Sequence, residues 1–172
     1  MKLKFTKMHG AGNDFVVIDA TKHAFNLSSQ QINQMANRRF GIGFDQLLVV
    51  GTSEQPAVDF SYRIFNADGA EVSQCGNGAR CFATFVHDKK LTDKREIVVE
   101  TQSGIIKPRL EADGSVSVDM GEPVFAPAQI PLLASKEENS YSININESHI
   151  EFGAVSIGNP HAILIVENID IA

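Results

Sequence analysis

Apolar and polar residues alternate most regularly between Val58 and Phe65. Every second residue from Val58 to Ile64 is apolar, and the residues between them are polar. This period of two predicts a half-buried strand that ends at Asn66. Continuous apolar runs follow residue 14 and residue 46, and they predict two buried strands, over residues 15–18 and 46–50. The residues 9–14 before the first run have the composition of a tight turn.

The segment from about Gly78 to Lys89 predicts a helix of a different kind. Its apolar residues lie around most of the helix circumference, so we expect it to be buried on nearly all sides. A second helix is predicted to open at Ser28, which has capping-box spacing to Gln31. Its buried stripe would contain Ile32, Met35 and Ala36, and Gly41 or Gly43 would end it.

Further strands are predicted over residues 96–100, 104–110 and 115–119, then over 141–146, 150–157 and 162–166. Three prolines between Gly121 and Pro131 indicate a boundary. The predicted domains are therefore 1–119 and 120–172. The fold class is α/β of the α+β type, with a mostly antiparallel sheet of hairpins around one buried helix.

Composition narrows the class of protein. The 172 residues have a net charge of −6 and no basic stripe, which argues against nucleic acid as the main partner. No stretch is long and apolar enough to cross a membrane, and the first residues do not resemble a signal peptide. The two cysteines do not form a disulfide-dense pattern, which favours a reducing cytoplasm.

Cys75 lies immediately before the predicted buried helix, within a glycine-rich turn. Gly76 and Gly78 let the backbone there come close to a ligand. Free N–H groups and the positive end of the helix dipole favour an anion at this place, either the thiolate or a bound carboxylate. The side-chain amides of Asn13, Gln46 and Asn66 could bind an ammonium or a carboxylate without a fixed charge.

Several interpretations of Cys75 remain open at this point. It could be a small apolar residue beside an Asn77-Gly78 hairpin, although the apolar helix disfavours a hairpin. A phosphate loop lacks its Gly-Lys-Ser/Thr ending. Cys75, Cys81 and His87 are six residues apart, so on a helix they face different directions and suit neither a metal nor a redox pair. The remaining interpretation is a thiol that exchanges a proton with carbon.

A faint internal repeat bears on that chemistry. Gly12-Asn13 and Gly158-Asn159 both stand two residues before an apolar strand. A second copy of the cysteine turn would then fall beyond Ala172. Inverting a stereocentre needs an acid on one face and a base on the other, so a second thiol would complete the pair.

The chain resembles the diaminopimelate epimerase family. The resemblance rests on four motifs, which occur in the family's order and extend along the chain: His9-Gly10-Ala11-Gly12-Asn13-Asp14-Phe15, Phe65-Asn66-Ala67-Asp68-Gly69, Gln74-Cys75-Gly76-Asn77-Gly78-Ala79-Arg80-Cys81 and Gly158-Asn159-Pro160-His161. It implies an isomerase without pyridoxal phosphate or any other cofactor, and without a metal. Such an enzyme interconverts LL- and meso-diaminopimelate for lysine and peptidoglycan synthesis. It also implies two similar halves, of which the second is incomplete here.

The resemblance assigns roles to particular residues. Cys75 would be one of two acid/base thiols, and His161 would lie near the site. The substrate-binding residues would be Asn13, Gln46, Asn66, Gly76, Asn77 and Asn159. The full-length form would be a homodimer, whereas this chain, without the second thiol, would have little or no activity. Alternatives are a related isomerase of the proline racemase or phenazine type, or a non-catalytic half-domain that binds an amino acid or a partner.

Overall fold

The computed structural model describes residues 3–73, 75–146 and 148–169. The chain divides into two compact units, Met1–Asp119 and Met120–Ala172. The first unit contains a large mixed sheet and two helices. Its elements are β1 (Thr6–Gly10), β2 (Asn13–Asp19), α1 (Ser29–Ala36), β3 (Gln46–Gly51), β4 (Phe60–Asn66), β5 (Glu71–Val72), α2 (Gly76–Asp88), β6 (Val99–Thr101), β7 (Gly104–Ile106), β8 (Arg109–Leu110) and β9 (Val116–Ser117).

Seven strands form the large sheet in the order β1-β2-β3-β4-β6-β7, with β5 paired to β4. The pairs β2–β3 and β4–β6 are parallel, and the other pairs of this sheet are antiparallel. Strands β8 and β9 form a separate antiparallel pair. The predicted fold class is thus confirmed, but the two parallel pairs were not predicted. Hydrophobic pattern shows that a strand exists and does not show its direction.

Both faces of the sheet are buried, each against one helix. Val17, Leu48 and Tyr62 pack with the apolar residues of α2. The opposite face of the sheet packs with Ile32 and Ala36 of α1, through side chains such as Val16 and Leu47. This explains why β2 and β3 are apolar at nearly every position, since a strand that is buried on both faces shows no alternation.

Helix α2 begins two residues earlier than predicted, at Gly76, so both glycines lie in its first turn and not in a loop before it. Most of its apolar residues are buried. Arg80 and Thr84 are half-buried, however, and His87 and Asp88 are exposed. The expectation of burial on nearly all sides is therefore wrong along this one stripe, where residues three or four apart share a face.

Helix α1 has the predicted capping box. The Gln31 amide donates to Ser28 Oγ at 3.2 Å, and the Ser28 amide donates to Gln31 Oε1 at 2.9 Å. The helix ends at Ala36, and the prediction of Gly41 or Gly43 as its end is wrong. The amides of both glycines donate instead to carbonyls of the last helical turn and its cap, Met35 and Asn37.

The remaining predicted strands are present with shifted bounds. Strand β4 begins at Phe60 and not at Val58, and the predicted tight turn shortens to Ala11-Gly12. These two residues have φ of 50° and 92°, as a two-residue hairpin turn requires. The run predicted over 104–110 divides into β7 and β8.

The second unit contains a three-stranded antiparallel sheet of β10 (Tyr141–Ile145), β11 (Ser148–Ser156) and β12 (Pro160–Ile163), and a short 3₁₀ helix, Pro127–Gln129. Val155 and Ile130 are buried, but many large apolar side chains are exposed. They are Phe125, Leu133, Ile143, Ile145, Ile163, Leu164, Ile165, Val166 and Ile169. None of the helices in the described ranges has the length and hydrophobicity to cross a membrane.

A cluster of charged side chains holds the start of β2 in place. Both Arg38 Nη atoms donate to the Asp14 carboxylate, at 2.9 Å and 2.7 Å, and Lys7 Nζ adds a bond of 2.7 Å. Arg38 also donates to Asp45 at 2.8 Å. The pKa of Asp14 lies far below its usual range. The largest cause is the hydrogen bonding of the Arg38 guanidinium, and Lys7 adds to it, although partial burial opposes the shift.

We predict that Gly41→Ala destabilises the fold by about 1–3 kcal/mol. A β-carbon at residue 41 would overlap the Gln34 carbonyl oxygen and lie 2.5 Å from that of Met35. Urea unfolding would measure the loss. Gly153→Ala is the matched control, because its β-carbon would meet only Ile163, at 4.0 Å. Equal stability of both variants would contradict this packing.

We also predict that Asp14 makes stability depend on acid pH. Because its pKa is depressed in the folded state, its contribution is complete above the unfolded pKa of about 3.9 and is lost as pH falls below it. Urea unfolding between about pH 6 and pH 3 should therefore show a steeper loss for the wild type than for Asp14→Asn. Parallel curves would show that the ion pairs contribute nothing.

Candidate active site

Cys75 is the N-cap residue of α2. Its backbone is extended, with φ of −154° and ψ of 107°, and its Sγ accepts a hydrogen bond from the Gly78 amide at 3.3 Å. The side chain is partly exposed. The amides of Gly76 and Asn77 complete the first turn, and among the described residues neither has a hydrogen-bond acceptor. The helix start therefore presents a thiol beside two available donors.

Asn77 belongs to a chain of side chains whose orientation is fixed at both ends. Arg80 donates to Asn77 Oδ1, and Asn77 Nδ2 donates to Asn13 Oδ1 at 2.7 Å. Asn13 Nδ2 in turn donates to Asp45 Oδ2 at 3.3 Å. A guanidinium can only donate and a carboxylate only accept, so both intervening amides have one allowed orientation. Asn13 and Asn77 are thus held together as a pair.

Gln46 and Asn66 form a second pair of amides. They are directly opposite each other on β3 and β4, and Gln46 Nε2 donates to Asn66 Oδ1 at 2.9 Å. Gln46 Oε1 is buried and has no hydrogen-bond partner among the described residues. The pair thus leaves one buried acceptor, Gln46 Oε1, and one remaining donor group, Asn66 Nδ2.

The sheet topology explains why these residues meet. Asn13 begins β2 and Gln46 begins the parallel strand β3, while Asn66 ends the antiparallel strand β4. All three therefore lie at the same end of the sheet. The Asn77–Asn13 bond brings the start of α2 to that end as well.

Cys81 lies elsewhere, in the core. It is 5% exposed, and burial raises the pKa of its thiol, while the charge of Arg80 partly opposes the rise. Cys81 is therefore a core residue and not a second thiol of the site. Within the described ranges, no three His, Cys, Asp or Glu side chains converge as metal ligands.

Asn159 and His161 belong to the second unit, at the beginning of β12. His161 Nε2 and Asn159 Oδ1 share a hydrogen bond of 3.0 Å, and both residues are exposed. Their roles at the site stay predictions.

Sequence reasoning missed three residues that touch this site: Arg80, Asp45 and Tyr62. Arg80 follows Asn77 by three positions, so a helix starting at Gly76 puts them on one face. Asp45 directly precedes Gln46. Tyr62 lies on the apolar face of its predicted strand, and the pattern gives no sign that its hydroxyl points at the first turn of α2.

Comparison with known proteins adds independent evidence. The family model described as "Diaminopimelate epimerase" matches residues 5–126. Diaminopimelate epimerases of Nitrosomonas europaea and Pseudomonas aeruginosa are 59% and 55% identical to the chain, each over 100% of it and 62% of their own length. That of Nitrosospira multiformis is 52% identical over 99% of the chain and 61% of its own length.

Two solved structures have a similar fold. A hydroxyproline epimerase from Agrobacterium vitis matches with a TM-score of 0.65 at 13% identity, over 94% of this chain and 51% of that one. A phenazine biosynthesis protein from Bacillus anthracis matches with a TM-score of 0.60 at 21% identity, over 99% of this chain and 58% of that one. At such identities the likeness concerns the fold alone.

The chain spans 61–62% of the length of these curated relatives. The family match nevertheless covers most of the first unit, including every part of the Cys75 site and the strands that position it. The chain belongs to the diaminopimelate epimerase family.

Proposed function

We propose that this chain supplies half of the active site of an enzyme that interconverts LL- and meso-diaminopimelate. The observation that carries the proposal is the partly exposed residue Cys75 at the start of α2, beside the amides of Gly76 and Asn77, which have no acceptor in the described part of the chain. The names of relatives with 52–59% identity support the same substrate. They do not favour the proline racemase or phenazine-type alternative, which shares the fold.

The proposed reaction begins when the Cys75 thiolate removes the proton from the α-carbon of the substrate. The carbon–hydrogen bond breaks, a sulfur–hydrogen bond forms, and the electron pair spreads into the adjacent carboxylate. The amides of Gly76 and Asn77 would donate hydrogen bonds to that carboxylate and stabilise its increased charge. A second thiol on the opposite face then returns a proton, which inverts the centre.

The side-chain amides would orient the substrate. Gln46 Oε1 is a buried acceptor that no donor in the described part of the chain satisfies, so an ammonium group would satisfy it. Asn66, Asn13 and Asn77 would add neutral hydrogen bonds.

We further propose that residues 120–172 begin a second, similar domain that contributes Asn159 and places His161 near the substrate. The exposed apolar side chains of this unit support the proposal, because such surface is normally covered. By family resemblance, the full-length form would be a cytoplasmic homodimer that needs no cofactor and serves lysine and peptidoglycan synthesis. Two free cysteines agree with a reducing compartment.

The first test replaces each cysteine in a form extended to the length of the relatives. Cys75→Ala should lower epimerisation of diaminopimelate by at least about 10²-fold, the usual contribution of an acid/base group. Cys81→Ala, the matched control, should retain most activity because Cys81 lies in the core. Chiral separation of the products gives the rates. Equal losses in both variants would refute a special role for Cys75.

The second test uses the 172-residue chain alone. Cys75 and Cys81 are its only cysteines, and Cys81 is buried. With one thiol at the site, a proton can be removed and returned on one face only, so we expect no net conversion of LL- to meso-diaminopimelate. Turnover comparable to that of the extended form would overturn the two-thiol mechanism. Binding of diaminopimelate by the chain without turnover would agree with it.

A further inference from the structure

Tyr62 has a hydroxyl group that the fold does not use. The residue is 2% exposed, and its ring packs against Phe82 of α2 with 5.0 Å between ring centroids. Its Oη is buried and has no hydrogen-bond partner among the described residues. A phenylalanine would fill the same space without burying an unpaired polar atom, so the core does not require this oxygen.

The hydroxyl points at the first turn of α2. A β-carbon at residue 78 would overlap Tyr62 Oη, and the same position is 3.4 Å from Cys75 Cβ. Tyr62 Oη and the Cys75 side chain therefore flank one point at the helix start, which is open because residue 78 is glycine. The Cys75 sulfur lies one bond beyond Cβ, so side-chain rotation changes its distance from Tyr62 without moving the helix.

The electrostatics of the site keep this hydroxyl protonated. Burial, above all, raises the pKa of Tyr62 well above its ordinary value, and negative charge on Cys75 and Cys81 raises it further. Those two thiols are the titratable groups that act on Tyr62, and Arg80 acts in turn on Cys81. Tyr62 is therefore a hydrogen-bond donor whenever a thiolate is present beside it.

We propose that Tyr62 is a positioning residue whose hydroxyl donates a hydrogen bond to the Cys75 sulfur when that sulfur is a thiolate. The Gly78 amide already donates to the same sulfur at 3.3 Å. Two donors, the Gly78 amide and the Tyr62 hydroxyl, would stabilise the thiolate and restrict the position of the sulfur. Tyr62 keeps its own proton throughout, while the proton from the substrate carbon goes to sulfur. This deepens the proposed function, because it concerns the same acid/base thiol.

The test measures the titration of Cys75 without substrate. Iodoacetamide alkylation is followed against pH, and peptide mass spectrometry separates Cys75 from Cys81. In Tyr62→Phe, loss of one donor should raise the midpoint for Cys75 by about 0.5–1 pH unit, which is roughly a 3–10-fold loss of thiolate below the midpoint. Tyr141→Phe is the matched control, since Tyr141 lies in the second unit.

The midpoint and the plateau rate of alkylation distinguish a hydrogen bond to Cys75 from a purely structural role of Tyr62. A purely structural effect of Tyr62→Phe would change the plateau rate of alkylation through exposure and leave the midpoint in place. An unchanged midpoint would thus overturn the proposal. If the midpoint shifts but Cys75→Ala leaves epimerisation intact, the hydrogen bond stands and the proposed function fails.

A double-mutant cycle checks the geometry independently. Gly78→Ala should destabilise the wild type because its β-carbon would overlap Tyr62 Oη. In the Tyr62→Phe background the oxygen is absent, so part of that stability should return, while the contact of the same β-carbon with Leu48 Cδ2, at 3.3 Å, remains. If Gly78→Ala is equally harmful in both backgrounds, the hydroxyl does not occupy the start of α2 and the proposal falls.

Discussion

The burial of α2 against one face of the large sheet is the interaction on which the site depends. Phe82 and Val86 are fully buried with Leu48 and Val50 of the sheet. This packing fixes the axis and depth of the helix, so its first turn must arrive at one end of the sheet. Cys75 is partly exposed there because it caps the helix. A helix packed less deeply would not hold a thiol and the amides of its first turn in fixed positions.

A second constraint on the site is the orientation of two side-chain amides, which charged groups outside the reacting centre determine. Arg80 and Asp45 bracket Asn77 and Asn13 and leave each amide one orientation. Asp45 is itself held by Arg38, which also binds Asp14. The charged side chains of this network thus remain at the periphery, and the side-chain amides that would face a substrate are neutral. This arrangement orders the site without placing a salt bridge inside it.

Sequence alone predicted the elements where pattern and chemistry are local. The alternation in β4, the apolar runs of β2 and β3 and the Ser28–Gln31 capping box are properties of neighbouring residues, and all are present.

Prediction from the sequence failed where the end of a helix or the direction of a strand depends on residues far apart in the chain. Helix α1 ends at Ala36, before either glycine, and the amides of Gly41 and Gly43 return to the carbonyls of Asn37 and Met35. The parallel pairing of β2 with β3 depends on a crossover. The motif around Cys75 predicted a thiol at a helix start. The partners Arg80, Asp45 and Tyr62 come from packing, which a one-dimensional pattern does not contain.

Hydrogen exchange at the α-carbon of diaminopimelate tests the central claim most directly. The form extended to the length of the relatives is incubated with substrate in D₂O, and deuterium at the α-carbon is measured by mass spectrometry. We expect deuterium to enter when Cys75 is intact and exchange to fall to background in Cys75→Ala. Undiminished deuterium incorporation in Cys75→Ala would show that another group removes the proton and would contradict the account.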